Sequence, residues 1–276
     1  MTQRILIVND DGLHSSGMLH LEAALSESYE VWSVCPDRER SATSQAITIR
    51  ETLRLTHAGG RHYHLNGYPA DCVNVALHSG FFPTFDVVVS GINHGVNLGD
   101  DVHYSGTVGA ARHAAVHHIA AIAISCVNRD QSGNFYRPAA WLKEWLKENL
   151  DHLKQEMVYN INYPYEPEAT TVDTPFPRVE ITRHGRRIYM DTYETLERSR
   201  VTVAAQESDK STMIDSLPLD GRSVVLRLKE TIMGREIVEG TDFYTVEHGR
   251  ISITPLSLAT FDNNEIEFLK NLSAPI

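Results

Sequence analysis

Short uninterrupted apolar runs alternate, over the first 165 positions, with segments whose apolar residues recur every three or four. That alternation predicts buried strands separated by amphipathic helices. Arg4 to Val8, Tyr29 to Cys35, Asp86 to Ser90, Ile119 to Ser125 and Val158 to Asn162 read as strands. Gly17 to Leu25, Asp71 to His78, Thr107 to Val116 and Phe135 to Leu150 read as helices, with Trp141 and Trp145 expected in the core beside Leu142 and Leu146. Strands that alternate with helices imply an α/β class: a Rossmann-like, doubly wound, mostly parallel sheet.

The pattern changes near Pro164. Four prolines fall between Pro164 and Pro177, and beyond them come alternating stretches, Arg186 to Met190, Arg200 to Ala204 and Ser223 to Leu228, of the kind that builds β-hairpins. Ile251 to Thr254 reads as a further strand and Asn263 to Leu272 as a terminal helix. The expected organisation is a catalytic core over 1–165, a hairpin-rich C-terminal extension over 166–240 that serves oligomerisation, and a strand and helix over 241–276 that return to the core or to a neighbouring subunit.

Composition narrows the class of partner. With 25 basic and 36 acidic residues the net charge is -11, which argues against work by neutralising a nucleic-acid backbone or an anionic membrane. A phosphate ligand stays open, because cations and backbone N–H groups can receive one without a basic surface. Cys35, Cys72 and Cys126 are odd in number and lack C-x-x-C spacing, as expected of small buried thiols in a reducing compartment. Met1 leads almost directly into the first strand and no apolar run reaches the ~18 residues of a membrane span, so the expected location is cytoplasmic.

The candidate chemistry starts where the first strand ends. Asn9, Asp10, Asp11 and Gly12 follow the run Arg4 to Val8, and in open α/β sheets ligands gather beyond the carboxyl ends of strands. Two carboxylates about 4 Å apart repel by roughly 4 kcal/mol at an effective dielectric near 20, so a buried ionised pair calls for protons or a cation. Oxygen ligands on such a turn suit Mg²⁺ or Mn²⁺ better than zinc. The plainer alternative is that one aspartate caps the following helix and the other is solvated. A second unusual stretch runs from Gly91 to Gly109, where glycines let backbone approach a ligand. It leads through Ser105, Gly106 and Thr107 into a helix, whose hydroxyls and N–H groups could receive a phosphate or could serve only as an N-cap. Neither the P-loop nor the G-x-G-x-x-G spacing is present.

In combination these segments resemble the SurE family of survival-protein nucleotidases. The similarity is carried by Asn9-Asp10-Asp11-Gly12, Pro36-Asp37-Arg38-Glu39-Arg40-Ser41, Ser90-Gly91-Ile92-Asn93 with Asn97-Leu98-Gly99, and Tyr104-Ser105-Gly106-Thr107-Val108. Asn160-Ile161-Asn162-Tyr163-Pro164, Gly240-Thr241-Asp242 and Ser252-Ile253-Thr254-Pro255-Leu256 extend it to most of the chain. The resemblance implies one divalent metal ion per subunit, Mg²⁺ or Mn²⁺, held by Asp10, Asp11, Ser41 and Asn93. It implies a phosphate pocket bordered by Asn9, Asn97, Ser105, Gly106 and Thr107, with Asp10 and Asp11 catalytic. The implied substrate is a nucleoside 5′- or 3′-monophosphate, with short polyphosphate a further one, and the implied assembly is a homodimer or homotetramer.

The expected mechanism is attack on phosphorus by a metal-held water, with Asp10 as ligand and proton acceptor; attack by Asp10 itself is the alternative. A nucleotide-binding regulator without turnover is the competing class, and the acidic pair favours the enzyme. His14 and His103 are candidates for a general acid. His113 and His117, four apart on a helix, have the spacing of a metal pair but lack an H-E-x-x-H context. Arg38 and Arg40 could meet phosphate or pair with Asp37 and Glu39.

Overall fold

A computed structural model of the chain describes residues 2–127, 135–166, 174–198, 224–229 and 232–259. It divides into two compact units, Met1–Arg186 with Glu236–Ile276, and Arg187–Arg235. The strands are β1 (Arg4–Val8), β2 (Glu30–Pro36), β3 (Leu55–Gly59), β4 (His62–Leu65), β5 (Val87–His94), β6 (Ala120–Cys126), β7 (Met157–Tyr163), β8 (Val179–Ile181), β9 (Arg187–Tyr189), β10 (Thr192–Arg198), β11 (Val224–Lys229), β12 (Ile232–Arg235) and β13 (Ile251–Ser257). The helices are α1 (Ser16–Leu25), α2 (Pro69–His78), α3 (Gly106–Val116), α4 (Tyr136–Asn149) and α5 (Asp242–Glu247). The strand expected at Arg200 to Ala204 and the helix expected at Asn263 to Leu272 lie outside the described residues.

The larger unit is built on one nine-stranded sheet in the order β3-β4-β2-β1-β5-β6-β7-β13-β8. Parallel pairing joins β4 to β2, β2 to β1, β1 to β5, β5 to β6 and β6 to β7. Only β3 on β4 and β13 on β7 run antiparallel. From β1 the chain winds first to β2 on one side and later to β5 on the other, so the carboxyl ends of β1 and β5 flank a topological switch point, where α/β sheets open a crevice.

Parallel strands covered on both faces are apolar at every position, and β1 divides its residues by alternation. Ile5 and Ile7 join Met18, Leu21 and Leu25 of α1 and Trp141, Leu142 and Leu146 of α4. Leu6 and Val8 join Cys72, Val73 and Ala76 of α2 and Val108, Ala111 and Ala115 of α3. On that second face β6 contributes Ala121 and Ala123, small side chains that let α3 lie close to the sheet. The three cysteines are buried free thiols.

The smaller unit consists of two antiparallel ladders, β9 with β12 and β10 with β11. Among the described residues no helix is long and apolar enough to cross a membrane.

Two features depart from the sequence expectation. The strand expected to stop at Ser90 continues through Gly91, Ile92 and Asn93 to His94, with a register shift against β6 between Ser90 and Asn93. The region after the polar loop Asp37 to Ser44 adds an antiparallel pair, β3 and β4, at the sheet edge. The extended β5 also supports α1: a Cβ placed on Gly17 would lie 2.0 Å from the carbonyl oxygen of Ile92. Backbone cannot yield as a side-chain tip can. Gly17→Ala is therefore expected to lower stability by about 2–3 kcal/mol, read as a shift of the urea midpoint; an unchanged midpoint would contradict the close packing of α1 on β5.

Candidate active site

The turn after β1 is shaped from inside by Asn9. Its side chain is fully buried; Nδ2 donates to the Gly12 carbonyl (2.8 Å) and to Ser15 Oγ (2.8 Å), and Oδ1 accepts from the Gly12 N–H (3.1 Å). Gly12 has φ +97°, a conformation that glycine adopts without penalty. Ser15 in turn caps α1 by accepting from the Met18 N–H. With its amide committed in this way, Asn9 sets the shape of the turn that presents the two aspartates.

Asp10 is 5 % exposed. Its Oδ1 accepts from the Thr107 hydroxyl (2.7 Å), and the Thr107 N–H also binds the carboxylate. The side chain thus rests against the first turn of α3, where N–H groups and the helix dipole favour a negative charge. Burial nevertheless outweighs that help: desolvation first, with the neighbouring Asp11 charge adding to it, pushes Asp10 up from 3.8 to about 6. Asp11 is half-buried and is raised too, by desolvation and then by the charge of Glu39, against a hydrogen bond from the His94 backbone.

Three other segments close on this pair. The loop after β2 passes beneath it, with the Arg40 N–H donating to the Asp10 carbonyl (2.7 Å) and the Ser44 N–H to the Tyr104 carbonyl (2.8 Å). Ala42 and Ser44 in that loop have φ of +55° and +52°, values costly for residues with a Cβ and frequent at functional sites. Ser41 is exposed, with its Oγ donating to Glu39 Oε1 at 2.8 Å. The extension of β5 brings Asn93 to the carboxyl end of the sheet, with its Nδ2 donating to the Gly95 carbonyl (2.8 Å) and so its Oδ1 oriented away from that bond. Finally, Ser105 caps α3 by accepting from the Val108 N–H (3.1 Å), and a Cβ on Gly106 would sit 2.9 Å from Asp10 Oδ2 and 3.2 Å from Thr43 Oγ1. Glycine at 106 lets the start of α3 pack this closely on Asp10 and Thr43.

Asn97 is buried and spent on its own loop. Its N–H donates to Asn162 Oδ1 (2.8 Å), its Nδ2 to Ser125 Oγ (2.7 Å), and its carbonyl accepts from Asn160 and Asn162. Arg40 stacks over Tyr68 and donates to the Asn66 carbonyl and Asp37, which makes it a brace of the loop. His14 and His103 are exposed. His113 is buried and driven down to about 4 by desolvation, while His117 Nδ1 lies 3.1 Å from His78 Nε2. Among the described residues no group of three or more His, Cys, Asp and Glu is arranged to hold a metal ion. The candidate set is two carboxylates with the neutral oxygens of Ser41 and Asn93. Sequence reasoning assigned no site role to Glu39, Thr43 or the His94 N–H; Glu39 and Thr43 belong to the polar loop after β2, and the His94 contact depends on β5 running past Ser90.

Fold and site together define a Rossmann-like α/β protein with paired carboxylates and neutral oxygen donors at the switch point of its sheet. The family model described as survival protein SurE matches residues 5–191, and the chain belongs to that family. A 5'-nucleotidase SurE of Leptospira interrogans serovar copenhageni is 39% identical over 269 residues, covering 98% of this chain and 96% of that protein. The 5'-nucleotidase SurE of Citrifermentans bemidjiense is 35% identical over 273 residues, 99% of this chain and 100% of that one. The crystal structure of the SurE protein from Aquifex aeolicus superposes with a TM-score of 0.73 at 29% identity, covering 98% of this chain and 100% of its own.

The raised Asp10 carboxyl has a consequence for stability. Unfolded chains release this proton near 3.8 and the folded protein near 6, so between those values the native state binds more protons. Stability without divalent ions therefore falls as pH rises through that window and levels off above it. Asp10→Asn removes the effect: in chelator at pH 7 it should be more stable than wild type by on the order of 2–3 kcal/mol, measured by urea unfolding. Coincident pH profiles for the two proteins would contradict the buried state of Asp10.

Proposed function

We propose that this protein is a metal-dependent 5'-nucleotidase, a phosphomonoesterase that hydrolyses nucleoside monophosphates to nucleoside and phosphate. The observation that carries the reading is the Asp10–Asp11 pair, two carboxylates raised by burial where the first turn of α3 is packed against Asp10. The names of the relatives, all 5'-nucleotidase SurE, support the same reaction.

The donor set fits a hard divalent cation, because both carboxyls gain from a positive neighbour and every other donor is an oxygen. Asp10, Asp11, Ser41 and Asn93 are the residues that would hold it. When bound, Mg²⁺ or Mn²⁺ neutralises the pair and polarises the phosphoryl group. The chain's own residues do the rest. The Thr107 hydroxyl and N–H hold the Asp10 carboxylate, with Oδ2 on the side of Gly106. There Asp10 accepts a proton from the attacking water as the ester bond to the nucleoside breaks. Ser105 Oγ accepts from Val108 and retains its own proton to donate to a phosphate oxygen. Asp11, raised but less buried, serves chiefly as a charge and ligand beside it.

Phosphate release is expected from nucleoside 5'-monophosphates, with 3'-monophosphates and short polyphosphate as further substrates, with Mg²⁺ or Mn²⁺ and not with chelator. Asp10→Asn should lose at least about 100-fold in kcat, since a general base contributes 10²–10⁴. A folded protein that binds nucleotide yet releases nothing with any metal would reject the enzyme in favour of a nucleotide-binding regulator.

Ile188, Met190, Tyr193, Val225, Leu226 and Leu228 of the smaller unit are each about half or more exposed. So much apolar surface supports assembly as a homodimer or homotetramer. Light scattering at micromolar protein should return a multiple of the chain mass, and a monomeric mass would overturn this part of the reading.

A further inference from the structure

Gly240-Thr241-Asp242 has no part in the chemistry above, yet Asp242 is fully buried. A buried carboxylate is tolerated only where donors replace water. Here Oδ2 accepts from the Gly99 N–H (2.8 Å), and Oδ1 accepts from the Gly185 N–H (2.9 Å) and the Phe243 N–H (2.8 Å). Only Phe243 belongs to α5. The other two donors come from separate loops, one of them 143 positions away, so the carboxylate ties segments together as well as capping its own helix.

Gly99 is enclosed on every side that matters. Its φ is +52°, and a Cβ would lie 2.5 Å from the Phe243 ring and 3.1 Å from the Gly185 carbonyl oxygen. The His184 imidazole contacts its carbonyl oxygen. Asp242 therefore grips the N–H of one residue whose C=O His184 also holds. That residue opens the 3-10 turn Gly99–His103, from which Ser105 N–H bonds back to the Asp101 carbonyl (3.1 Å) and the Tyr104 carbonyl receives Ser44 N–H. Ser105, Gly106 and Thr107 follow directly. Upstream, Asn97 is pinned by Ser125, Asn160 and Asn162. The segment that carries the phosphate turn is thus fixed at Asn97 by the sheet and at Gly99 by the last third of the chain.

We propose that Asp242 is a positioning residue for phosphate hydrolysis, which through the Gly99 peptide sets where Ser105, Gly106 and Thr107 stand against Asp10. The inference rests on the reading of that turn as the phosphate site. Misplacement of a reacting group by about 1 Å can cost on the order of 10²-fold in rate, which gives the scale of the effect.

The test compares wild type with Asp242→Asn, His184→Ala and Thr245→Val. Asparagine keeps the shape but must turn its NH₂ toward at least one of the three donors. His184→Ala releases the other side of Gly99 and is available should Asp242→Asn not fold. Thr245→Val is the control for α5 stability, since it removes the bond to Glu180 Oε2 (2.9 Å) without touching Gly99. Hydrogen–deuterium exchange over 97–108 should quicken about tenfold or more in Asp242→Asn and several-fold in His184→Ala, with no change in Thr245→Val. Turnover of a nucleoside monophosphate with Mn²⁺ should lose about 10- to 100-fold in kcat for Asp242→Asn, with KM within about threefold. A purely structural role would lower the melting temperature of all three variants and leave kcat of the folded fraction unchanged, and that result, or unaltered exchange over 97–108, overturns the inference alone. A wild type without turnover would overturn the phosphatase reading and this one with it.

Discussion

Everything at the crevice answers one electrostatic problem: two adjacent carboxylates held at the end of a buried strand. Loss of water is the larger part of the cost for both, and neighbouring charge adds to it, from Asp11 at Asp10 and from Glu39 at Asp11. A surface turn would relieve the strain by letting one side chain swing into water. Here that escape is closed. Asn9 locks the turn from below, Thr107 holds Asp10 by hydroxyl and N–H, and the His94 backbone holds Asp11. The protein keeps the pair together at a cost in stability, as sites built for chemistry commonly do, and a divalent cation is the partner that would turn that cost into affinity.

The sheet topology explains why such a turn is available. Because β2 and β5 lie on opposite sides of β1, the connections leaving β1 and β5 diverge and expose the strand ends between them. The alanine-rich contact of α3 with β6 then brings the helix start down to Asp10. Close approach recurs at Gly109, where a Cβ would come within 2.1 Å of the Ser44 carbonyl oxygen, so the loop after β2 is clamped against α3. The left-handed backbone of Ala42 and Ser44 belongs to this clamp: strain in the loop is sustained by packing on the helix that starts at Gly106.

The sequence is most informative where burial is two-sided. β1 and β6 read directly as apolar runs, and α1, α3 and α4 as periodic segments, since local pattern and tertiary role agree there. The pattern loses its voice where side chains serve the site or the edge. Gly91 to His94 looks like a loop because glycine, asparagine and histidine are poor strand formers, yet pairing with β6 draws them into β5. The edge pair β3–β4, with His57, His62 and His64, has one polar-tolerant face and no strong alternation. β8 is three residues long and α5 six, too short for any periodicity. At the site, residue types are legible but their division of labour is not. Asn9 and Asn97 carry the right chemistry for phosphate, and only the hydrogen bonds reveal that their amides are occupied in shaping the loops.

This division has a general cause. A group that touches substrate must keep an unfilled valence, while the group that aims it must have none to spare. Asp242 fits the second description, with three N–H donors from three segments on one carboxylate, and Asp10, which burial raises to about 6 in spite of its own donors, is the candidate for the first. The two acids are indistinguishable by type. What separates them is whether the protein or an outside partner completes the coordination. A carboxylate whose burial is offset by backbone N–H groups is rigid and chemically idle; one whose desolvation outweighs its donors is poised to take up a proton or a cation. The crevice works by setting the second kind on a frame built from the first.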